Sequence, residues 1–183
     1  MRTAADLARR LKAIRLIICD VDGVLTDGGI FQDGRGREIK RFSVLDGTGF
    51  VLARLGGLRT AFLSGRRSAV VTARARECGV PWVVQGAGAK APAFESLCRR
   101  ARVRPGEALY IGDDLIDLPV FERAGMAVAV SNAVPEVRRA ACWVTRAPGG
   151  SGAVREVIER VLRAQGRWRR ARERYLGRDG RQG

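Results

Sequence analysis

The chain is 183 residues long, with 46% hydrophobic and 29% charged residues, a profile that suits one globular domain around a single sizeable core. Lysine and arginine number 34 against 19 acids, a formal charge of +15 at neutral pH, and there is no histidine. That absence excludes Ser-His-Asp and Cys-His hydrolases, His-ligated zinc and an imidazole base, leaving carboxylates, hydroxyls, amines and thiols to carry any chemistry.

The N-terminal stretch MRTAADLARRLKAI is charged throughout and lacks the apolar core of a signal peptide. No run reaches the roughly 20 apolar residues that span a bilayer. Cys19, Cys78, Cys98 and Cys142 are scattered and form no C-x-x-C pair. A reduced, cytoplasmic protein without membrane contact is expected. Leu16–Cys19 reads as a buried strand, followed at once by acids and glycines. Further strands are predicted at Thr60–Leu63, Trp82–Val84, Ala108–Ile111, Ala127–Val130 and Trp143–Val144. Between them, helical spacing runs over Gly49–Leu55, Ser68–Cys78, Ala91–Ala101, Leu115–Ala124 and Pro135–Ala140, with a last helix from near Ala153 past Leu162. Strands alternating with helices predict a three-layer, doubly wound (Rossmann-like) α/β fold on a parallel sheet.

Gly28 to Val44 breaks this rhythm. Strand-like stretches flank Asp33-Gly34 and Gly36, which predicts a projecting hairpin whose Asp-Gly pair supplies positive φ. Its apolar residues Ile30, Phe31, Ile39 and Phe42 need cover, from their own domain or from hairpins of other subunits. At the far end, eight arginines lie between Arg163 and Arg181 against only Glu173 and Asp179. Such a tail, over residues 166–183, fits either a nucleic-acid contact or a solvated helix end, and the lack of an aromatic stacking platform favours the second. Trp168, on that tail, is a candidate contact to a partner subunit, whereas Trp82 and Trp143 belong to the core.

Ligands of open parallel sheets bind beyond the carboxyl ends of the strands. The first strand ends in Asp20-Val21-Asp22-Gly23, where carboxylates two residues apart on extended chain face one pocket. The second core strand ends in Ser64-Gly65-Arg66, Lys90 follows the third, and the fourth ends in Gly112-Asp113-Asp114, with Asp117 one turn later. Clustered acids repel one another unless a hard dication sits among them, and Mg²⁺ accepts carboxylate, water and phosphate oxygens. An amine and a hydroxyl beside them complete a phosphoryl-transfer site. Aspartate is a competent nucleophile for such a step, and without histidine a second carboxylate, Asp22, must serve as acid and base. Turn and helix-cap roles explain any one of these motifs, but not all of them at successive strand ends.

DVDGVLTDG, LSGR, the lysine of QGAGAK and YIGDDLIDLP resemble, in chain order, the signatures of the haloacid dehalogenase superfamily, over about residues 14–165. The resemblance implies Asp20 as nucleophile, Asp22 as acid/base, and Ser64 and Lys90 as holders of the phosphoryl group. It also implies an Mg²⁺ site made by Asp20, the Asp22 carbonyl and Asp113, supported by Asp114 and Asp117. An acid two residues after the nucleophile points to phosphatases and mutases. The spacings from Asp20 to Ser64 and from Lys90 to Asp113 leave no room for a cap domain, so hydrolysis is favoured. The hairpin, FSVLDGTG and APGGSGAVREV are similar to the capless homotetrameric phosphatases of sugar-acid phosphates that serve lipopolysaccharide precursor synthesis. By position, that similarity makes Ser43, Val44, Leu45, Asp46, Gly47, Gly65, Arg66 and Arg74 substrate-facing, together with Asp22, Ser64 and Lys90. Ser64 replaces a frequent threonine, Val51 an expected basic residue and Leu118 a frequent tryptophan. An eight-carbon or a nine-carbon sugar acid, a macromolecular phosphoester, and a nucleic-acid-binding protein on a phosphatase scaffold are the readings that remain.

Overall fold

A computed structural model describes residues 4–178. The sheet is built on β1 (Leu16–Cys19), whose four residues are all buried. It pairs in parallel with β4 (Arg59–Leu63) on one side and β6 (Ala108–Gly112) on the other. With β5 (Trp82–Val84), β7 (Met126–Ala129) and β8 (Trp143–Val144) the order is β5-β4-β1-β6-β7-β8, and every pairing is parallel. Central strands covered on both faces are unbroken apolar runs, which is why LIIC and ALYIG carry no polar alternation.

The chain first winds outward from β1 to β5 through α2 (Val44–Leu55) and α3 (Ala69–Cys78). It then returns across the sheet through α4 (Lys90–Arg100) and continues through α5 (Leu118–Phe121) and α6 (Pro135–Ala140). Because right-handed crossovers change face when the winding direction reverses, the first pair of helices covers one face and the last three the other. The reversal point lies between β1 and β6, so the doubly wound expectation is met and the crevice opens beside Asp20. α7 (Ala153–Ala164) packs on α2 through a fully buried stripe of Val154, Val157, Ile158, Val161 and Leu162.

Three details differ from the sequence expectation. α1 (Ala4–Ala13) was hidden by its charges, yet Leu7, Leu11 and the following Ile14 form a helical stripe that seals onto the core. α2 begins at Val44, capped by Ser43, rather than at Gly49, and its glycines are packing devices: a Cβ on Gly49 would stand 3.1 Å from the Arg155 Cα of α7. The hairpin is present as β2 (Phe31–Gln32) and β3 (Glu38–Ile39), with Phe31 opposite Ile39. Its positive φ, however, belongs to Gly36 at 75°, not to Gly34, because the Asp33 carboxylate accepts the amides of Arg35 and Arg37 and moves the tight point along the turn.

The basic tail forms α8 (Trp168–Tyr175), which buries Ala171 and lays Trp168 under the Arg163 guanidinium at 4.4 Å. That fits the helix-end reading, with Trp168 half-buried against its own chain; Asp179 and Arg181 lie outside the described residues. No helix among the described residues is long and apolar enough to cross a membrane.

Candidate active site

Asp20 is the first residue past β1, and its amide still donates to the Ile111 carbonyl at 3.0 Å, so the nucleophile candidate inherits the rigidity of the sheet. Ser64 is held in the same way, its amide donating to the Val84 carbonyl at 2.9 Å. Gly23, at φ 84°, lets the β1 loop close on β6: a Cβ there would fall 1.9 Å from Asp113 Oδ2. A cavity of about 320 Å³ results, lined by Asp20, Asp22, Ser64, Gly65, Arg66, Lys90, Asp113 and Asp114 among others. The structure therefore joins the acids, hydroxyl and amine that the sequence places on separate strand ends.

Asp117 organises the floor. It is fully buried, and its Oδ1 accepts from Lys90 Nζ at 2.7 Å and from the Tyr110 hydroxyl at 2.7 Å. Its Oδ2 accepts the amides of Asp113 at 2.9 Å and Asp114 at 3.2 Å. Lys90 Nζ also reaches Asp20 Oδ2 at 2.6 Å, so one buried ammonium bridges the floor and the nucleophile. Burial alone would lower the Lys90 pKa, but Asp20 and Asp117 outweigh it and hold the ammonium charged. Asp20 is pushed up to about 7, first by burial and then by the Asp117 charge, with Lys90 opposing. Burial, then Asp20 and Asp117, push Asp113 up to about 8.

These acids fit a divalent cation. Carboxylate oxygens of Asp20, Asp113 and Asp117 lie within 4.8 Å of one another. Both Asp117 oxygens are already taken by two donors each, whereas Asp113 Oδ1 is buried with no hydrogen-bond partner. Asp20 and Asp113 are thus the side chains left to meet an ion, and an all-oxygen set of this kind suits Mg²⁺. Sign follows from the raised values. Between the ordinary carboxylate range and about 8, folded Asp20 and Asp113 keep protons that the unfolded chain releases. Metal-free protein is therefore expected to lose stability as pH rises from 5 to about 8. Mg²⁺ displaces those protons, so its stabilising shift in Tm is expected to be larger at pH 8 than at pH 5. Thermal melts with Mg²⁺ and with chelator at both pH values check this, and equal shifts would count against these acids as ligands.

The residues expected to face the substrate divide into two groups. Ser64, Gly65, Arg66 and Lys90 line the cavity; Ser43, Val44, Leu45, Asp46, Gly47 and Arg74 do not. Asp46 is the clearest correction: it is buried, and its carboxylate accepts the amides of Gly152 at 3.2 Å and Arg155 at 2.8 Å, so it caps α7. Ser43 caps α2 and gives its carbonyl to Arg74 Nη2 at 2.9 Å. Val44, Gly47 and Arg74 border a separate hollow of about 210 Å³ with Val51. Val44 and Leu45 are exposed. Leu118 packs against the core. Tyr110, Glu38 and Lys40 were not foreseen; for the last pair the available signal was the E-I-K alternation, which sets both charges on one strand face.

Residues 79–158 match the haloacid dehalogenase-like hydrolase family. The 3-deoxy-D-manno-octulosonate 8-phosphate phosphatase of Escherichia coli strain K12 is 42% identical over 164 residues, 90% of this chain and 87% of the relative. The chain belongs to that phosphatase family, among the haloacid dehalogenase-like hydrolases. Solved structures of family members superpose closely. The phosphatase from Yersinia pestis gives a TM-score of 0.88 at 41% identity, covering 91% of this chain and 90% of that one. The phosphatase from Moraxella catarrhalis, in complex with magnesium, phosphate and the KDO molecule, gives 0.89 at 35% identity, covering 96% and 98%.

Proposed function

We propose that the protein is an Mg²⁺-dependent phosphatase that hydrolyses 3-deoxy-D-manno-octulosonate 8-phosphate to the free sugar acid and inorganic phosphate. The observation that carries this reading is Lys90, buried and bonded to both Asp20 and Asp117 beside the partnerless oxygen of Asp113. That set is built to take charge from a phosphoryl group. Asp20 attacks phosphorus, the ester P–O bond breaks, and Asp22 gives its proton to the departing sugar oxygen. Water then attacks the aspartyl-phosphate and passes a proton to Asp22; the bond to Asp20 breaks and phosphate leaves. Ser64, the Gly65 amide and Lys90 hold the phosphoryl oxygens. Asp20, Asp113 and the Asp22 carbonyl would hold the metal, which when bound neutralises charge on the transferring group.

The proposal extends to the assembly. Ile30, Phe31 and Ile39 are 61%, 54% and 59% exposed on the hairpin, an apolar face that pairing between subunits of a homotetramer would cover. Val44, Leu45 and Arg74 would meet the sugar acid in that assembly, outside the single-chain cavity. Cys19, Cys78, Cys98 and Cys142 are in no disulfide, which suits a cytoplasmic setting. Hydrolysis of a panel of phosphorylated sugar acids, with Mg²⁺ and with chelator, tests the substrate. The eight-carbon 8-phosphate is expected to exceed nine-carbon 9-phosphates by about tenfold or more in kcat/KM, with no turnover in chelator. A preference for the nine-carbon esters, or phosphate release independent of metal, overturns the assignment.

A further inference from the structure

The hairpin sends two charged side chains back to the catalytic rim. Glu38 and Lys40 lie two positions apart on extended chain, so they share the inward face, while Ile39 between them points to solvent at 59% exposure. The Lys40 side chain is 1% exposed. Its ammonium donates to Asp22 Oδ1 and lies 3.0 Å from Glu38 Oε1. Arg66 completes the ring, with Nη2 at 2.9 Å from Glu38 Oε1 and Nη1 at 3.8 Å from Asp22 Oδ1.

A long, flexible side chain is seldom hidden to this degree without a task for its charge. Here the ammonium engages one oxygen, Oδ1, of an Asp22 that lines the cavity. An acid that must protonate a departing oxygen and later take a proton from water needs one fixed orientation for both steps. A carboxylate standing alone at the mouth of an open cleft would rotate. We infer that Lys40, held in place by Glu38, is a positioning residue that fixes the Asp22 carboxyl for proton transfer, so that the hairpin is part of the catalytic apparatus. This rests on the phosphatase reading above. The same ring ties Arg66, another residue of the cavity wall, to the hairpin through Glu38.

The test uses full-length Lys40→Met with Mg²⁺ and two esters: the sugar-acid phosphate, whose alkoxide must be protonated to leave, and an aryl phosphate that the wild type turns over, whose phenolate needs no proton. For the sugar ester kcat is expected to fall about 100-fold, with KM within about twofold. For the aryl ester the first step is expected to survive, giving a burst of phenolate equal to the enzyme present, then slow turnover as the aspartyl-phosphate waits for its base. Equal loss on both esters without a burst, or no loss on either, overturns the inference. Lys40→Arg keeps the charge in the fold and guards against a folding failure; it is expected to lose about tenfold on the sugar ester and to show a smaller burst. A wild type inert toward every phosphate ester would instead refute the proposed function.

Discussion

Asp20→Asn is expected to abolish phosphate release, by about 10⁴-fold or more, because an amide oxygen cannot replace the carboxylate as nucleophile. Fold and activity are expected to part in this variant. The wild-type carboxyl sits buried beside Asp113 and Asp117 and is pushed up to about 7, a sign that its charge is unwelcome without metal. Removing that charge relieves the repulsion, so in chelator at pH 8 the variant is expected to melt at or above the wild-type temperature. A phosphate-release assay and a thermal melt on the same preparation check both halves. Turnover above about one per cent of wild type would show that another group attacks phosphorus.

Asp117→Ala is expected to have the opposite profile, losing stability and activity together. Four donors converge on this fully buried carboxylate: Lys90, the Tyr110 hydroxyl and the amides of Asp113 and Asp114. Truncation strands the Lys90 ammonium, whose side chain is 2% exposed, with Asp20 as its remaining partner. Breaking a buried pair in this way costs about 3–5 kcal/mol. For a chain of this size that corresponds to a fall in Tm of about 10 °C. Loss of the two amide bonds also frees the loop that presents Asp113, so Mg²⁺ affinity is expected to drop with it. Denaturant unfolding and a magnesium titration measure the two effects; a variant with wild-type stability would mean that Asp117 is no keystone. Asp117→Asn is expected to fall between, since its NH₂ cannot accept from the donors that surround it.

What was legible in the sequence follows from how locally each feature is determined. Short apolar runs that end in acids and glycines announce central parallel strands and their catalytic ends at once, because burial on both faces and a ligand-facing terminus leave different residue types side by side. Asp20, Ser64, Lys90 and Asp113 were readable for that reason. α1 was not, because three apolar positions among charges weigh little until the rest of the core is there to receive them. Asp46 was misassigned because the amides it caps, at Gly152 and Arg155, are 106 and 109 residues away. Lys40 was missed because a charged residue on a hairpin reads as solvated, and only the closure of the hairpin onto the β1 loop puts it beside Asp22. Asp117 stood in the sequence as an accessory acid, whereas four converging hydrogen bonds make it the anchor of the site.

The groups that break the ester hang from strand ends locked by the core, while the flanks that a bulky molecule would meet first are an exposed hairpin and the open first turn of α2. Reaction and clientele thus meet in one element, since the hairpin that shows Ile30, Phe31 and Ile39 to the outside also carries Lys40 to Asp22. A lineage, or a designer, can exchange the customer by rewriting the first turn of α2 and the outer face of the hairpin, but Glu38 and Lys40 on its inner face must stay, because damage there reaches the cutting tool.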